Sequence, residues 1–222
     1  MRVAPTILIA LYLCLGIAPT QASECFSPSP LKKKSGQTFE EIKPVKLTNT
    51  QASSIRNMFK NLRGNWRGTA TGFFCLGTEK SPRQKADNFT IKAEIDVFSQ
   101  QDIVITADMD AIEQRKQRTE IFRLFSSNGF LRLNKNRTAG DVKVKTISQN
   151  EISFVQYSQI KINSKGPSTT TDAKNTVNKS GGIARREIIT TIKRSYKALR
   201  IEYKVYSNGV LSSTSTWSLK KR

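Results

Sequence analysis

Histidine is absent from the 222 residues of this chain. The commonest general base and the commonest transition-metal ligand are therefore missing, and haem held on a histidine is excluded with them. Of the three cysteines, Cys14 lies in an apolar N-terminal run, which leaves Cys25 and Cys75, too few thiolates for a zinc site. Asp108-Met109-Asp110 puts two carboxylates on one strand face. That spacing suits a cation or an acid/base pair; the plainer reading is a solvated strand end. Glu40-Glu41 reads as a surface pair. No phosphate-binding loop, dinucleotide fingerprint or G-x-S-x-G elbow occurs. The chain is expected to be no enzyme, with no catalytic residues, no metal and no cofactor.

What the chain does carry is positive charge. Lys and Arg number 37 against 17 Asp and Glu, a formal net charge of +20. A protein this basic is drawn to anionic partners: a membrane surface, lipopolysaccharide or an acidic glycan. The alternative is a solvated surface with no dedicated partner. The candidate contacts are the triplet Lys32, Lys33, Lys34 and the pair Arg185-Arg186. Strand neighbours face opposite sides, so one arginine of that pair faces inward, either to meet an anionic headgroup or to sit in water at a rim. Aromatics interleave with cations at Phe122-Arg123 and Tyr203-Lys204. Nucleic acid is nonetheless disfavoured, because no recognised binding module accompanies them.

The elements that must position these residues follow from periodicity. Residues 1–22 read as a signal peptide, with Arg2, an apolar run over 7–18 too short for a bilayer span, and Pro19 before a small-residue cleavage site. Export to the periplasm or beyond is expected, and losing Arg2 leaves 36 − 17 = +19. Residues 23–47, with Pro28, Pro30 and Pro44, read as an extended basic arm. Residues 48–63 read as a helix. Thr48 and Gln51 fit a capping box, Ile55, Met58, Phe59 and Leu62 form one stripe, and Gly64 stops it.

Alternating strands then follow over 66–76, 88–98, 103–109, 120–125 with a lead-in from 111, 130–134, 142–147, 152–162, 183–196, 198–206 and 210–219. Residues 163–182 form a polar loop long enough to be mobile or functional. In the last hairpin, a two-residue Asn208-Gly209 turn would set Arg200 against Trp217. A three-residue loop over 207–209 sets Leu199 against Trp217 and Val205 against Leu211, and is preferred because it groups apolar side chains. Its neighbour strand is then largely serine, which points to a hydrated or partly open interior.

Gly64-Asn65-Trp66, after a short helix and before a strand, resembles the G-x-W entry to a lipocalin-type barrel. The resemblance covers about fourteen residues of 62–75 and rests on two of them. It implies an antiparallel barrel with the Trp at its closed floor and room for one small ligand. It also implies a basic residue from the last strand above the Trp, with Lys220 or Arg222 as counterparts. If Trp66 points inward, so do Gly68, Ala70 and Gly72, which leaves space beside the ring. Cys75 then faces outward. In an oxidising compartment a Cys25–Cys75 disulfide would strap the arm to the wall; two free thiols are the alternative.

The expectation is an all-β single domain over 48–222. It is an antiparallel up-and-down barrel of about 8–10 strands with one N-terminal α-helix, or alternatively a β-sandwich. Two functions fit. One is a secreted or periplasmic binding protein for a small amphipathic or lipid-like, anionic or neutral ligand, lined by Trp66, Phe89, Ile91 and Tyr203. The other is an envelope-surface or host-facing interaction protein that uses its basic exterior, with no ligand in the barrel.

Overall fold

The computed structural model describes residues 24–31, 44–112, 116–135, 138–161 and 183–222. The expected signal peptide, Lys32, Lys33 and Lys34, and the 163–182 loop lie outside them. One helix, α1 (Asn49–Lys60), precedes β1 (Gly64–Thr78), β2 (Ser81–Ala86), β3 (Phe89–Ser99), β4 (Asp102–Ala111), β5 (Gln117–Ser127) and β6 (Phe130–Lys135). Then come β7 (Thr138–Asp141), β8 (Lys143–Ile147), β9 (Glu151–Lys161), β10 (Ile183–Ser195), β11 (Ala198–Ser207) and β12 (Val210–Lys221).

The capping box forms as its residues dictate. The Thr48 hydroxyl accepts from the Gln51 amide, and Gln51 Oε1 accepts from the Thr48 amide. The stripe Ile55, Met58, Phe59 and Leu62 is fully buried and closes one end of the barrel.

The sheet runs β7-β6-β5-β4-β3-β1-β12-β11-β10-β9-β8, with every ladder antiparallel. Its two edges, β7 and β8, are halves of one run of chain separated only by Val142. Val142 is buried and donates to the Leu131 carbonyl, so the run leans on β6 with its first half and on β9 with its second. One strand thus carries both edges. The result is a nearly closed up-and-down barrel of eleven strands, ten staves when β7 and β8 count as one.

The closed half of the lumen is packed with inward side chains. Trp66, Ile95, Ile103, Ile105, Leu124 and Ile152 are each at most 1% exposed. Full burial stabilises by about 1.5–3 kcal/mol per such aliphatic side chain, so this layer and α1 together hold the barrel. Gly68 and Gly72 serve the wall rather than space beside Trp66. A Cβ at Gly68 would lie 1.9 Å from the Ser218 carbonyl oxygen, and one at Gly72 would lie 2.2 Å from that of Thr214. Only glycine lets β1 coil this tightly against β12.

The last hairpin corrects the expected register. Asn208 and Gly209 form the two-residue turn, both with positive φ, and Tyr206 pairs with Leu211. A bulge between Val205 and Tyr206 then shifts the ladder, so Val205 opposes Ser213, Ile201 opposes Trp217 and Leu199 opposes Leu219. The extra residue is Ser212, whose hydroxyl donates to the Val205 carbonyl at 3.0 Å. One bulge reconciles the favoured turn with an apolar inner face, a solution the choice between two regular registers omits.

Sequence periodicity also misses β2 and β7. β2, exposed along its whole length, pairs only with the far end of β1, and so extends one side of the barrel as a lip above the mouth. Cys25 and Cys75 form a disulfide with Cα atoms 5.4 Å apart. Past it the chain lies along β12: Phe26 donates to the Leu211 carbonyl, Leu211 donates to that of Ser27, and Ser29 donates to that of Gly209. The Ser29 hydroxyl donates to the buried Glu187 carboxylate at 2.5 Å.

Candidate functional site at the barrel mouth

Opposite the helix-closed end, the lumen changes character. Inward positions on β5 run Arg118, Glu120, Phe122, Leu124, and on β6 they run Leu131, Leu133, Lys135. The same face that is apolar in the closed half is charged near the mouth. Arg118 bridges Asp87 at 3.5 Å and Glu120 at 3.2 Å, and Lys135 reaches Glu120 at 3.0 Å. The Arg118 side chain is 31% exposed and that of Glu120 is 12% exposed, so the cluster runs from solvent into the lumen. Two cations face two carboxylates, and the cluster of four is neutral as a set.

Beneath the rim lies an aromatic floor. Tyr203 sits edge-on to Trp217, with ring centroids 5.6 Å apart, and reaches across the barrel to Phe122 at 6.4 Å. The Lys135 ammonium lies 3.9 Å from the Tyr203 ring centroid, and the Arg118 guanidinium lies 4.1 Å from that of Phe89. Such contacts hold both cations over the floor. Tyr203 is buried, yet its hydroxyl has no hydrogen-bond partner among the described residues. Its cross-strand neighbour Thr190 is also fully buried with an unpartnered hydroxyl. Burial pushes the Tyr203 phenol well above its ordinary pKa, and the nearby Glu120 carboxylate adds to the shift. It is therefore a neutral donor at physiological pH.

On the β1/β12 side the wall is made of small residues. Gly72 pairs with Ser215, and Ser213 is the next inward position; all three are half-buried. A solvent-accessible cup thus stands above Trp217 and Tyr203. The expected hydration of the interior would lie here, in the upper half, because the closed half is filled by buried apolar side chains.

The four residues expected to line a ligand split between two levels. Phe89 and Tyr203 face the cup. Ile91 is one step deeper, and Trp66 is at the closed floor, where its Nε1 donates to the Leu62 carbonyl at 2.8 Å. The cation above Trp66 is neither Lys220 nor Arg222 but Lys221, with Nζ 5.7 Å from the ring centroid and 3.4 Å from the Asn61 carbonyl oxygen. It falls on the inward phase of β12 with Trp217 and Leu219, which excludes its two neighbours. Arg185 and Arg186 lie at the start of β10, beside the mouth; Arg186 is the inward-phase member and is exposed. Asp108 and Asp110 lie on the outer wall, where Asp108 accepts the Thr119 hydroxyl at 2.7 Å.

Arg118, Glu120, Lys135 and Thr190 were not singled out from sequence. The signal was present: Arg118 and Glu120 share the phase of Phe122 and Leu124, and Lys135 shares that of Leu131 and Leu133.

No family model and no curated protein matches this chain. Among solved structures, one described as EF1p2_mFAP2b bound to DFHBI is similar over 76% of this chain and 99% of that one, with 9% sequence identity and a TM-score of 0.38.

Proposed function

We propose that this is an exported binding protein that takes one small amphipathic ligand into the cup at the barrel mouth. The observation that carries the reading is the pair of buried, unpartnered hydroxyls of Tyr203 and Thr190 beneath a charged rim. A buried hydroxyl without a partner is destabilising by about 1–3 kcal/mol, a loss that a ligand acceptor arriving between them would recover. The ligand's apolar part would lie on Trp217 and Phe89, and its polar end would exchange with the Arg118–Glu120–Lys135 cluster. Such a division, few polar groups over an apolar floor, is common to small-molecule sites. The likeness of Gly64-Asn65-Trp66 to a lipocalin entry, with Lys221 over the Trp, supports the same reading.

The test is native mass spectrometry of protein exported to an oxidising compartment, with solvent extraction of anything bound, followed by titration with the anionic amphipathic dye anilinonaphthalene sulfonate. The expected results are a discrete adduct and dye binding that Ser215→Trp, which fills the cup, abolishes. A clean apo mass together with dye binding unchanged by Ser215→Trp would overturn the reading.

A further inference from the structure

We propose that the helix-closed end of the barrel docks on an anionic phospholipid membrane, independently of what the cup holds. The three most exposed large hydrophobic residues among those described are Tyr196 at 85%, Phe98 at 69% and Val45 at 67%. All three lie at this end. Tyr196 is at the tip of the β10–β11 turn. Phe98 is the unpaired residue of a bulge between Val97 and Ser99, just before the β3–β4 turn. A bulge is a device that re-aims a side chain, and here it turns an aromatic ring off the wall into solvent. Val45 leads into α1 beside the β5–β6 turn, where Leu47 donates to the Gly129 carbonyl.

Between the Phe98 and Tyr196 tips stand β3, β1, β12 and β11, three strand spacings or roughly 15 Å. Their outer faces carry a row of like charges. Lys220 pairs across the sheet with Arg67, and Arg67 with Lys92. All three are exposed, and among the described residues none has an ion-pair partner. Like charges set directly opposite in a sheet destabilise it, so this row calls for an external anion. Arg63, Lys197 and Arg222 add exposed cations at the same edge, against Glu94 and Asp96 on β3. A recess of about 370 Å³ beside the row has the scale of a headgroup; of its bordering cations, Lys193 and Arg200 pair with Glu151 and Glu202, and Arg194 and Lys220 have no ion-pair partner among the described residues.

Aromatic tips flanking a cationic sector fit the bilayer interface, where rings sit at headgroup depth and cations meet anionic lipid. A soluble polyanion would use the cations and leave the rings idle. Away from that row the outer wall bears charges such as Asp108, Glu202 and Lys204, so docking is end-on rather than spanning. No helix among the described residues is long and apolar enough to cross a membrane.

The test is co-sedimentation of the disulfide-intact protein with vesicles of one part phosphatidylglycerol to two parts phosphatidylcholine, against phosphatidylcholine alone. Binding to the anionic vesicles only is expected. Arg67→Ala with Lys220→Ala should weaken it by about five-fold per cation. Phe98→Ser with Tyr196→Ser should weaken it by roughly ten-fold, while Arg83→Ala with Lys85→Ala on the opposite lip should leave it unchanged. Tyr196→Trp gives a reporter whose emission shifts to the blue on binding, since both native tryptophans are buried. Three outcomes would overturn the proposal: equal binding to neutral vesicles, equal loss from the lip variant, or vesicle binding that the serine pair leaves intact and soluble polyphosphate fully displaces. Circular dichroism of each variant checks that the barrel has folded.

Discussion

Tyr203 spans the barrel and meets three elements of the site, and it does so with a polar atom left over. Its ring is held by Trp217, Phe122 and the Lys135 ammonium, while its hydroxyl and that of Thr190 find no partner among the described residues. A purely structural role would be served as well by phenylalanine. Tyr203→Phe is therefore expected to leave the fold intact and to stabilise the ligand-free protein by up to about 1 kcal/mol, read from urea unfolding. Any ligand that uses the hydroxyl should be lost at the same time. The pH dependence has a definite sign. Burial holds the folded-state pKa above the unfolded value near 10, so the folded protein keeps a proton that the unfolded chain releases. Stability is unaffected by this group below about pH 10 and falls above it, by up to about 1.4 kcal/mol per pH unit until the folded pKa is reached. Tyr206, raised by burial and then by Glu187 and Glu24, contributes in the same direction. Unfolding curves at pH 9 and pH 11 should therefore converge in Tyr203→Phe relative to the parent. Equal losses in both would show that the phenol is wetter than its packing implies.

Element by element, the strength of each signal in the sequence tracks what holds that element in place. α1 is held by packing more than by its cap. Phe59→Ala removes a fully buried ring from the barrel plug and should destabilise by about 3–5 kcal/mol. Thr48→Ala removes one arm of the capping box and should destabilise by about 1 kcal/mol. Comparing the two urea midpoints checks this ordering, and similar losses would refute it. The helix was legible because its stripe and its cap agree on one period and one start. β3 was legible because Phe89, Ile91, Ala93, Ile95 and Val97 alternate without exception. β2, Ser81–Ala86, has no apolar face to alternate, since both of its faces meet water; only its ladder to β1 makes it a strand. β7 escaped because Thr138–Asp141 is read through the run it shares with β8. The mouth cluster escaped for a related reason. Charged residues at inward phase look like the end of a buried face, when here they are where the lumen changes from apolar to polar. The last register failed on Ser212 alone, because a bulge is a two-body solution that no single strand's pattern records.

At the scale of the whole molecule, the two ends of the barrel differ in one respect: at the mouth Arg118 and Lys135 are paired with Asp87 and Glu120, whereas towards the closed end the row Lys220, Arg67 and Lys92 has no ion-pair partner among the described residues. The pairing is not forced by composition, since the chain carries 17 acidic residues and the mouth cluster uses two of them, Asp87 and Glu120. A row of Lys220, Arg67 and Lys92 in direct cross-strand register carries repulsion that any one acidic substitution would relieve. The middle position is the informative one, because Arg67 opposes a cation on each side. Lys92, by contrast, already has Asp108 as its other neighbour, so an acid placed there would gain one pair and strain another. Arg67→Glu is therefore expected to stabilise the protein by about 1 kcal/mol at low ionic strength, from two relieved repulsions and two new attractions. The gain should fade as salt is raised, because exposed charges are screened within about 10 Å at 0.1 M salt and within about 3 Å at 1 M. Thermal unfolding at low and at high salt reads both effects. No gain at low salt would mean that the three side chains splay apart in water and the row holds no repulsion. A gain accompanied by loss of vesicle binding would mean that the closed end keeps its charges against its own stability, as surfaces with an external partner do.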